Sequence, residues 1–276
     1  MTHSNSTRIA FIGAGNMAQA IIGGLIANDY PADQLWASDP SRDNLNRVSA
    51  AWNINTSFDN STVITHADIV VLAVKPQIMN TVCTAINEAI QTHQPLVISI
   101  AAGITLNALQ SWLSNDIAIV RCMPNTPALC QLGATGLFAN TNVSSEQQQQ
   151  TEHIMSSFGI AKWVETESLL DAVTAVSGSG PAYFFRIIEL MQQIGVEQGL
   201  SPELSRALTL QTALGAARMA MDSDVDVAEL RRRVTSPNGT TEAALTQLDA
   251  HGIETMFRDA LNAANDRSQS LADELT

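Results

Sequence analysis

The most constraining stretch of the chain is Ile9-Ala10-Phe11-Ile12 running directly into Gly13-Ala14-Gly15-Asn16-Met17-Ala18. An apolar run ending in glycine reads as a buried strand, and Met17–Ala27 reads as a helix. A strand that turns through Gly-x-Gly-x-x-Ala into a helix has few folds open to it. Gly13 permits the tight turn, Gly15 leaves the backbone bare, and Ala18 lets helix and strand pack closely. The start of such a helix offers unpaired N–H groups and a positive dipole end, which suit phosphates. The stretch therefore predicts the opening unit of a dinucleotide-binding fold. Ile12, Gly13, Ala14, Gly15, Asn16 and Met17 would cradle the pyrophosphate. A glycine turn of no cofactor consequence is the competing reading, and the flanking strand and helix weigh against it.

Further short apolar runs follow at Leu35–Ser38, Ile69–Val74, Leu96–Ile100 and Ala118–Cys122, separated by helical patterns. Runs apolar at every position suit strands covered on both faces, so the first part reads as an α/β, doubly wound parallel sheet of Rossmann type. Gln147–Gln150 reads as a solvated helix face. Beyond about Val164 no strand is visible, and the division predicted is 1–164 as the dinucleotide-binding domain and 165–276 as an all-α domain. Pro181–Gly199 and Glu203–Met221 are apolar nearly all the way round. Such helices need cover on every side, and the second domain has little material to supply it. A homodimer through these helices is the expectation.

Composition excludes several classes. The 276 residues carry 14 Lys+Arg against 27 Asp+Glu, a net charge of −13. A nucleic-acid binder needs a basic face, and the densest basic run is Arg231-Arg232-Arg233, which reads as the solvated end of a helix. Cys83, Cys122 and Cys130 are odd in number and lack CxxC spacing, and the histidines are scattered, so no metal is expected and buried thiols in a reducing compartment are. The polar start has no signal-peptide pattern, and no stretch reaches the ~20 apolar residues of a membrane span. A cytoplasmic protein without membrane or nucleic-acid partners is the expectation.

The 2′ position of the cofactor divides the residues at the end of the second strand. Asp39 lies 24 residues after Gly15, near the place of the acid that bonds a ribose 2′-hydroxyl in NAD enzymes. Ser38, Ser41 and Arg42 suit a 2′-phosphate instead, and both readings stay open. Lys75 follows the third apolar run, where an α/β sheet opens its crevice. Ala73, Val74, Lys75 and Pro76 read as a cofactor-lining turn, with Pro76 starting the next helix.

The chain resembles the pyrroline-5-carboxylate reductases, the last enzymes of proline biosynthesis, over almost its whole length. The resemblance rests on Phe11–Met17, Ala73–Pro76, Ile100–Gly103, Arg121–Pro127, Val176–Tyr183 and Leu230–Thr241. It implies reduction of the cyclic imine (S)-1-pyrroline-5-carboxylate to L-proline, with NADP(H) preferred over NAD(H). It also implies a helical dimerisation and substrate-binding domain, with dimers assembled into decamers. Asn60 matches the family asparagine that reaches the adenosine ribose, although the residue also suits a helix N-cap. Ala101 and Ala102 match the turn beside the nicotinamide, and Asn125–Pro127 match a segment lining the active-site cleft.

Substrate residues are expected in the Pro/Gly turn Ser236–Thr241. Ser236, Asn238, Gly239, Thr240 and Thr241 are the substrate-binding candidates: backbone N–H groups at the helix start suit the substrate carboxylate, with the Ser236 hydroxyl adding a bond. Thr241 matches the threonine near the imine nitrogen, which makes Thr241 and Ser236 the catalytic candidates. The same segment suits an N-cap for local reasons alone. Asn238 stands where the family has glycine, and asparagine tolerates left-handed backbone angles. Two alternatives remain in view. A hydroxyacid-type dehydrogenase needs a Lys or His acid in its helical domain, yet no lysine occurs beyond Ser168 and His251 is the lone histidine there. A non-catalytic dinucleotide-sensing protein would not need the 236–241 loop.

Overall fold

Every predicted apolar run becomes a strand of one eight-stranded sheet. The computed structural model describes residues 7–276. In chain order the elements begin β1 (Ile9–Ile12), α1 (Asn16–Ala27), β2 (Leu35–Ser38), α2 (Arg42–Trp52), β3 (Asn55–Ser57) and α3 (Asn60–Ile64). There follow β4 (Ile69–Leu72), α4 (Met79–His93), β5 (Leu96–Ser99), α5 (Leu106–Leu113), β6 (Ile119–Met123) and β7 (Gly133–Ala139). The series closes with α6 (Ser145–Ser156), β8 (Gly159–Trp163) and α7 (Leu169–Val173). The sheet order is β3-β2-β1-β4-β5-β6-β7-β8.

Alternation along each strand divides the core into two layers. Ile9, Phe11, Ile69, Val71, Leu96 and Ile98 join one buried cluster. Ala10, Ile12, Val70, Leu72 and Val97 join the other. Successive side chains of a strand point to opposite faces, so a strand covered on both faces must be apolar throughout. Leu35, Ala37 and Ser38 are buried likewise.

Three strands escape the apolar-run criterion. β3 is a short polar edge strand, Asn-Thr-Ser. β8 alternates exposed and buried residues at the opposite edge. β7 contains Gly133 and Gly136 and pairs antiparallel with β6, so the sheet is parallel only from β3 through β6 and again between β7 and β8. An edge or glycine-rich strand needs no continuous apolar run, which is why none marks these. Gln147–Gln150 does lie on a polar helix: α6 starts with a capping box between Ser144 and Gln147.

The chain groups into two compact units, one of residues up to Ser179 together with Ala264–Thr276, the other Gly180–Ala263. After a π-helical segment at Thr174–Gly178 come α8 (Gly180–Glu197), α9 (Pro202–Asp222), α10 (Val227–Arg233), α11 (Thr240–Ala250) and α12 (Ile253–Leu275). In the first unit, Ser268 Oγ donates to Asp171 Oδ1 at 2.7 Å, and Leu271 and Leu275 lie against Gly103. In the second, α8 and α9 meet closely: Ser205 Oγ donates to the Gln192 carbonyl at 2.8 Å, and a Cβ on Gly195 would stand 2.4 Å from that hydroxyl. The apolar remainder of these helices is bare. Phe184 and Phe185 are each 65% exposed and Leu214 is 60% exposed. Among the described residues, no hydrophobic side chain beyond Ala175 is fully buried. Arg231–Arg233 form the exposed last turn of α10, where Arg232 and Arg233 pair with Glu229.

Candidate active site

β1 is the strand at which the chain order reverses, with β2 on one side and β4 on the other. Ligand crevices of open α/β sheets lie at such switch points, beyond the carboxyl ends of the strands. The turns after these strands are knitted together: the Gly13 N–H donates to the Ser38 carbonyl at 2.7 Å, and the Ala73 N–H to that of Ile12 at 2.8 Å. Gly13 has φ +98°, and a Cβ there would stand 2.7 Å from the Ala73 carbonyl oxygen. Backbone angle and packing both demand glycine at this position.

Gly15 is different. A Cβ on it would meet no protein atom within 4 Å, and its φ of −73° is open to any residue. Nothing in the protein itself requires glycine here, whereas a ligand approaching the backbone would. Gly15 is the N-cap of α1, no side chain caps that helix, and its first turn holds no acid. Uncapped N–H groups beside open space form the cradle a pyrophosphate needs. Ala18 is buried to 1% exposure against the sheet, as close helix–strand packing requires. The residues present fit a dinucleotide.

Around this cradle the sequence candidates take distinct places. Ser38 is fully buried, and its hydroxyl donates to Asn60 Oδ1 at 2.7 Å, so the bond uses the Asn60 acceptor and none of its amide hydrogens. The N-cap of α3 is Asp59, whose carboxylate accepts from the Ser61 and Thr62 N–H groups. Asn60 is therefore not the cap that its position allowed. Pro76 opens a 3-10 turn ahead of α4, with Lys75 exposed beside it. Ala101 is buried and Ala102 half-buried in the turn after β5.

Asp39 carries a role that the sequence reading missed. Its Oδ2 accepts the Ala14 N–H at 2.8 Å and the Asn44 amide at 3.2 Å, and its Oδ1 accepts the Ser41 N–H at 2.8 Å. The carboxylate braces the glycine turn from within. The bond to Ser41 is an Asx turn, which an Asp two residues before Ser41 would have signalled. Asn125 is a second internal brace. Its amide donates to the Ser177 carbonyl at 3.0 Å and its Oδ1 accepts the Ala134 N–H at 2.9 Å. Glu167 accepts from Arg121 at 2.5 Å and from the Leu106 N–H at 2.7 Å. Its partners lie 46 and 61 residues away, so no local pattern announces it. Cys122, next to Arg121, is raised well above the ordinary thiol range by burial, with the guanidinium lowering it less. Cys83 and Cys122 are buried, but Cys130 is exposed, contrary to the expectation for all three thiols.

In the second unit, α11 begins at Thr240 with Gly239 as N-cap and no capping side chain. The N-cap reading of the Ser and Thr residues therefore fails. The N–H groups of Thr240, Thr241 and Glu242 are left as unpaired donors of a first turn. Asn238 adopts φ +58°, the left-handed conformation that glycine otherwise supplies, and its N–H donates to Glu242 Oε2 at 2.6 Å. Thr241 is half-buried, and Ser236, Asn238 and Thr240 are exposed.

Comparison with known proteins assigns both parts. Residues 167–271 match the family described as pyrroline-5-carboxylate reductase dimerisation, and residues 8–103 that described as NADP oxidoreductase, coenzyme F420-dependent. A pyrroline-5-carboxylate reductase of Pseudomonas aeruginosa is 52% identical over 271 residues, covering 98% of this chain and 99% of that protein. The chain belongs to the pyrroline-5-carboxylate reductase family. The reductase of Vibrio alginolyticus is 42% identical over 96% of this chain and 97% of its own. The structure of a reductase from Coxiella burnetii matches with a TM-score of 0.93 at 42% identity, covering 97% of this chain and 99% of that one. A Plasmodium falciparum reductase structure with NADP bound matches at 0.87 and 32% identity, over 98% of this chain and 100% of that one. These matches support a pyridine-nucleotide-dependent oxidoreductase of the pyrroline-5-carboxylate reductase type, and the hydroxyacid-dehydrogenase and sensor alternatives are not favoured. No helix among the described residues is long and apolar enough to cross a membrane.

Proposed function

We propose the following residue roles for the reduction of the cyclic imine. The cofactor cradle is formed by Ile12, Gly13, Ala14, Gly15, Asn16 and Met17, with Arg42 and Asn60 toward the adenosine end; Ser38, expected to touch the cofactor, is fully buried and acts behind them by holding Asn60. Ala73, Val74, Lys75, Pro76, Ala101 and Ala102 line the nicotinamide side. A bound nicotinamide dinucleotide, NADPH in preference to NADH, supplies the hydride. The observation that carries the substrate assignment is the uncapped start of α11. Its N–H groups at Thr240, Thr241 and Glu242, together with the exposed Ser236 hydroxyl, anchor the substrate carboxylate. Asn238 and Gly239 hold the turn open. Thr241 Oγ1 donates to the ring nitrogen as hydride addition makes it basic. A threonine hydroxyl is too weak an acid to be the final proton source, so the role is to orient and stabilise.

Residues 1–164 serve as the dinucleotide-binding domain and 165–276 as the helical dimerisation and substrate domain, in line with the match at 167–271. The bare apolar faces of α8 and α9 support a homodimer, which sedimentation at micromolar concentration checks. Assembly of dimers into decamers and a cytoplasmic location belong to the same reading. The decisive assay follows loss of reduced-nicotinamide absorbance with pyrroline-5-carboxylate. Thr241→Ala is expected to lower kcat by about 10–100-fold. Unchanged kinetics would remove Thr241 from the mechanism.

A further inference from the structure

Among the described residues other than glycine, Asp29, Asn53, Gln94, Gln131 and Asn238 hold left-handed backbone angles. All but the last close a helical turn. Asn53, Gln94 and Gln131 are C-caps and Asp29 follows the C-cap Asn28. The N–H of each donates back to a carbonyl of the turn it ends. Such a conformation is an ordinary helix stop. Asn238 differs: it stands ahead of α11 at φ +58°, and its N–H donates to a side chain, Glu242 Oε2, at 2.6 Å. A left-handed angle costs asparagine more than glycine, and this bond offsets that cost.

Glu242 is the third residue of α11. An acid there ordinarily reaches back to the N-cap N–H and completes a capping box. That donor is taken, because the Gly239 N–H donates to the Ser236 carbonyl at 3.0 Å. Glu242 reaches one residue further and holds Asn238 instead. Among the described residues its carboxylate joins none of the ion pairs. The turn it closes is tight: a Cβ on Gly239 would stand 2.9 Å from the Ser236 carbonyl oxygen. The first helical bond of α11 comes only at the Ala243 N–H, which donates to the Gly239 carbonyl at 3.1 Å. The donors of Thr240, Thr241 and Glu242 therefore stay open between the closed turn and the helix body.

We infer that Glu242 is a positioning residue for substrate binding. By holding Asn238 in its left-handed conformation, its carboxylate keeps the 236–239 turn in the shape that leaves the first-turn N–H groups of α11 open to the substrate carboxylate. This rests on the substrate reading above. The Glu242 side chain acts through Asn238 and not on the imine.

Steady-state kinetics with NADPH and pyrroline-5-carboxylate, paired with calorimetric titration of NADPH, test this. Glu242→Ala is expected to raise KM for the imine by about 5–20-fold, the low end for a hydrogen bond to a charged group because this one is exposed. Its kcat should change by no more than about twofold, as for an interaction made equally in ground and transition states. The Kd for NADPH should move by less than about twofold, because the glycine turn shares no partner with Glu242. Glu242→Gln keeps an oxygen acceptor and should recover most of the loss. Glycine reaches the left-handed region without strain, so in an Asn238→Gly background the Glu242→Ala change should raise KM by no more than about twofold. A KM unmoved by Glu242→Ala overturns the inference. So does a Glu242→Gln protein as impaired as Glu242→Ala, which would assign the effect to charge. An equal loss in the Asn238→Gly background overturns it by removing Asn238 from the effect, and a matching loss of NADPH affinity does so by showing a defect not confined to the turn. If the unaltered protein does not reduce pyrroline-5-carboxylate, the substrate reading itself falls, an outcome read from the parent alone and distinct from a variant series that leaves KM unmoved.

Discussion

Replacing Gly15 by alanine separates what the fold requires from what the ligand requires. The added Cβ meets no protein atom within 4 Å, and φ −73° is compatible with alanine. Removing glycine restricts the unfolded chain and stabilises by about 0.4–1 kcal/mol. Alanine is a poorer N-cap than glycine, which costs roughly 0.5 kcal/mol and offsets most of that gain. The net change should lie within about 0.5 kcal/mol, and the thermal midpoint without cofactor should move by no more than about 2 °C. Cofactor binding should suffer, because a methyl then stands where the pyrophosphate approaches. An overpacking cost of about 1–3 kcal/mol corresponds to a five- to 150-fold weaker Kd, roughly. Gly13→Ala is the contrast. Its φ of +98° and the 2.7 Å approach to the Ala73 carbonyl oxygen penalise the fold itself. Left-handed strain and overpacking together come to about 2–5 kcal/mol, a midpoint fall of about 4–20 °C. Thermal melts without cofactor, paired with fluorescence titration of NADPH, measure both quantities. A Gly15→Ala protein that binds NADPH as tightly as the parent would refute the claim that the open space at Gly15 is the pyrophosphate's path.

Two further outcomes follow from the interior of the first unit. Asn125→Ala leaves the Ala134 N–H and the Ser177 carbonyl without their side-chain partners, so a loss of about 2–4 kcal/mol is expected in denaturant titrations. A loss below about 0.5 kcal/mol would mean that water replaces both bonds. Iodoacetamide should modify Cys130 in the native protein and all three cysteines only after unfolding, as mass spectrometry can count. Cys83 is buried and its thiol is pushed up to about 12, so it stays protonated and unreactive at neutral and mildly alkaline pH.

Much of the site was legible because its signals are local. A glycine-rich turn between an apolar run and a helix, and a Ser-Pro-Asn-Gly turn ahead of another helix, are written in consecutive residues. Their backbone requirements act over a few bonds. Both were found where expected, and so were five of the strands. The edge and glycine-rich strands β3, β7 and β8 were not, because pairing rather than hydrophobicity makes them strands.

The sequence by itself determined the kind of molecule: a dinucleotide-binding sheet whose fully buried strands must be apolar at every position, followed by helices too apolar to remain bare. Only the tertiary structure decided what individual polar side chains do. Asp39 stood in the sequence as a candidate ribose ligand equal to Arg42. The fold places the Ala14 N–H, 25 residues earlier, against its carboxylate and engages both oxygens within the protein. It seats Arg42 on Phe58, an exposed ring from another loop. Glu167 likewise acquires its partners from β6 and the start of α5. Hydrogen bonds are short-range and directional, so they depend on which segments the packing brings within 3 Å or so of each other. Apolar patterning reports only which faces must be buried, and so it predicts the frame without fixing the contacts made across it.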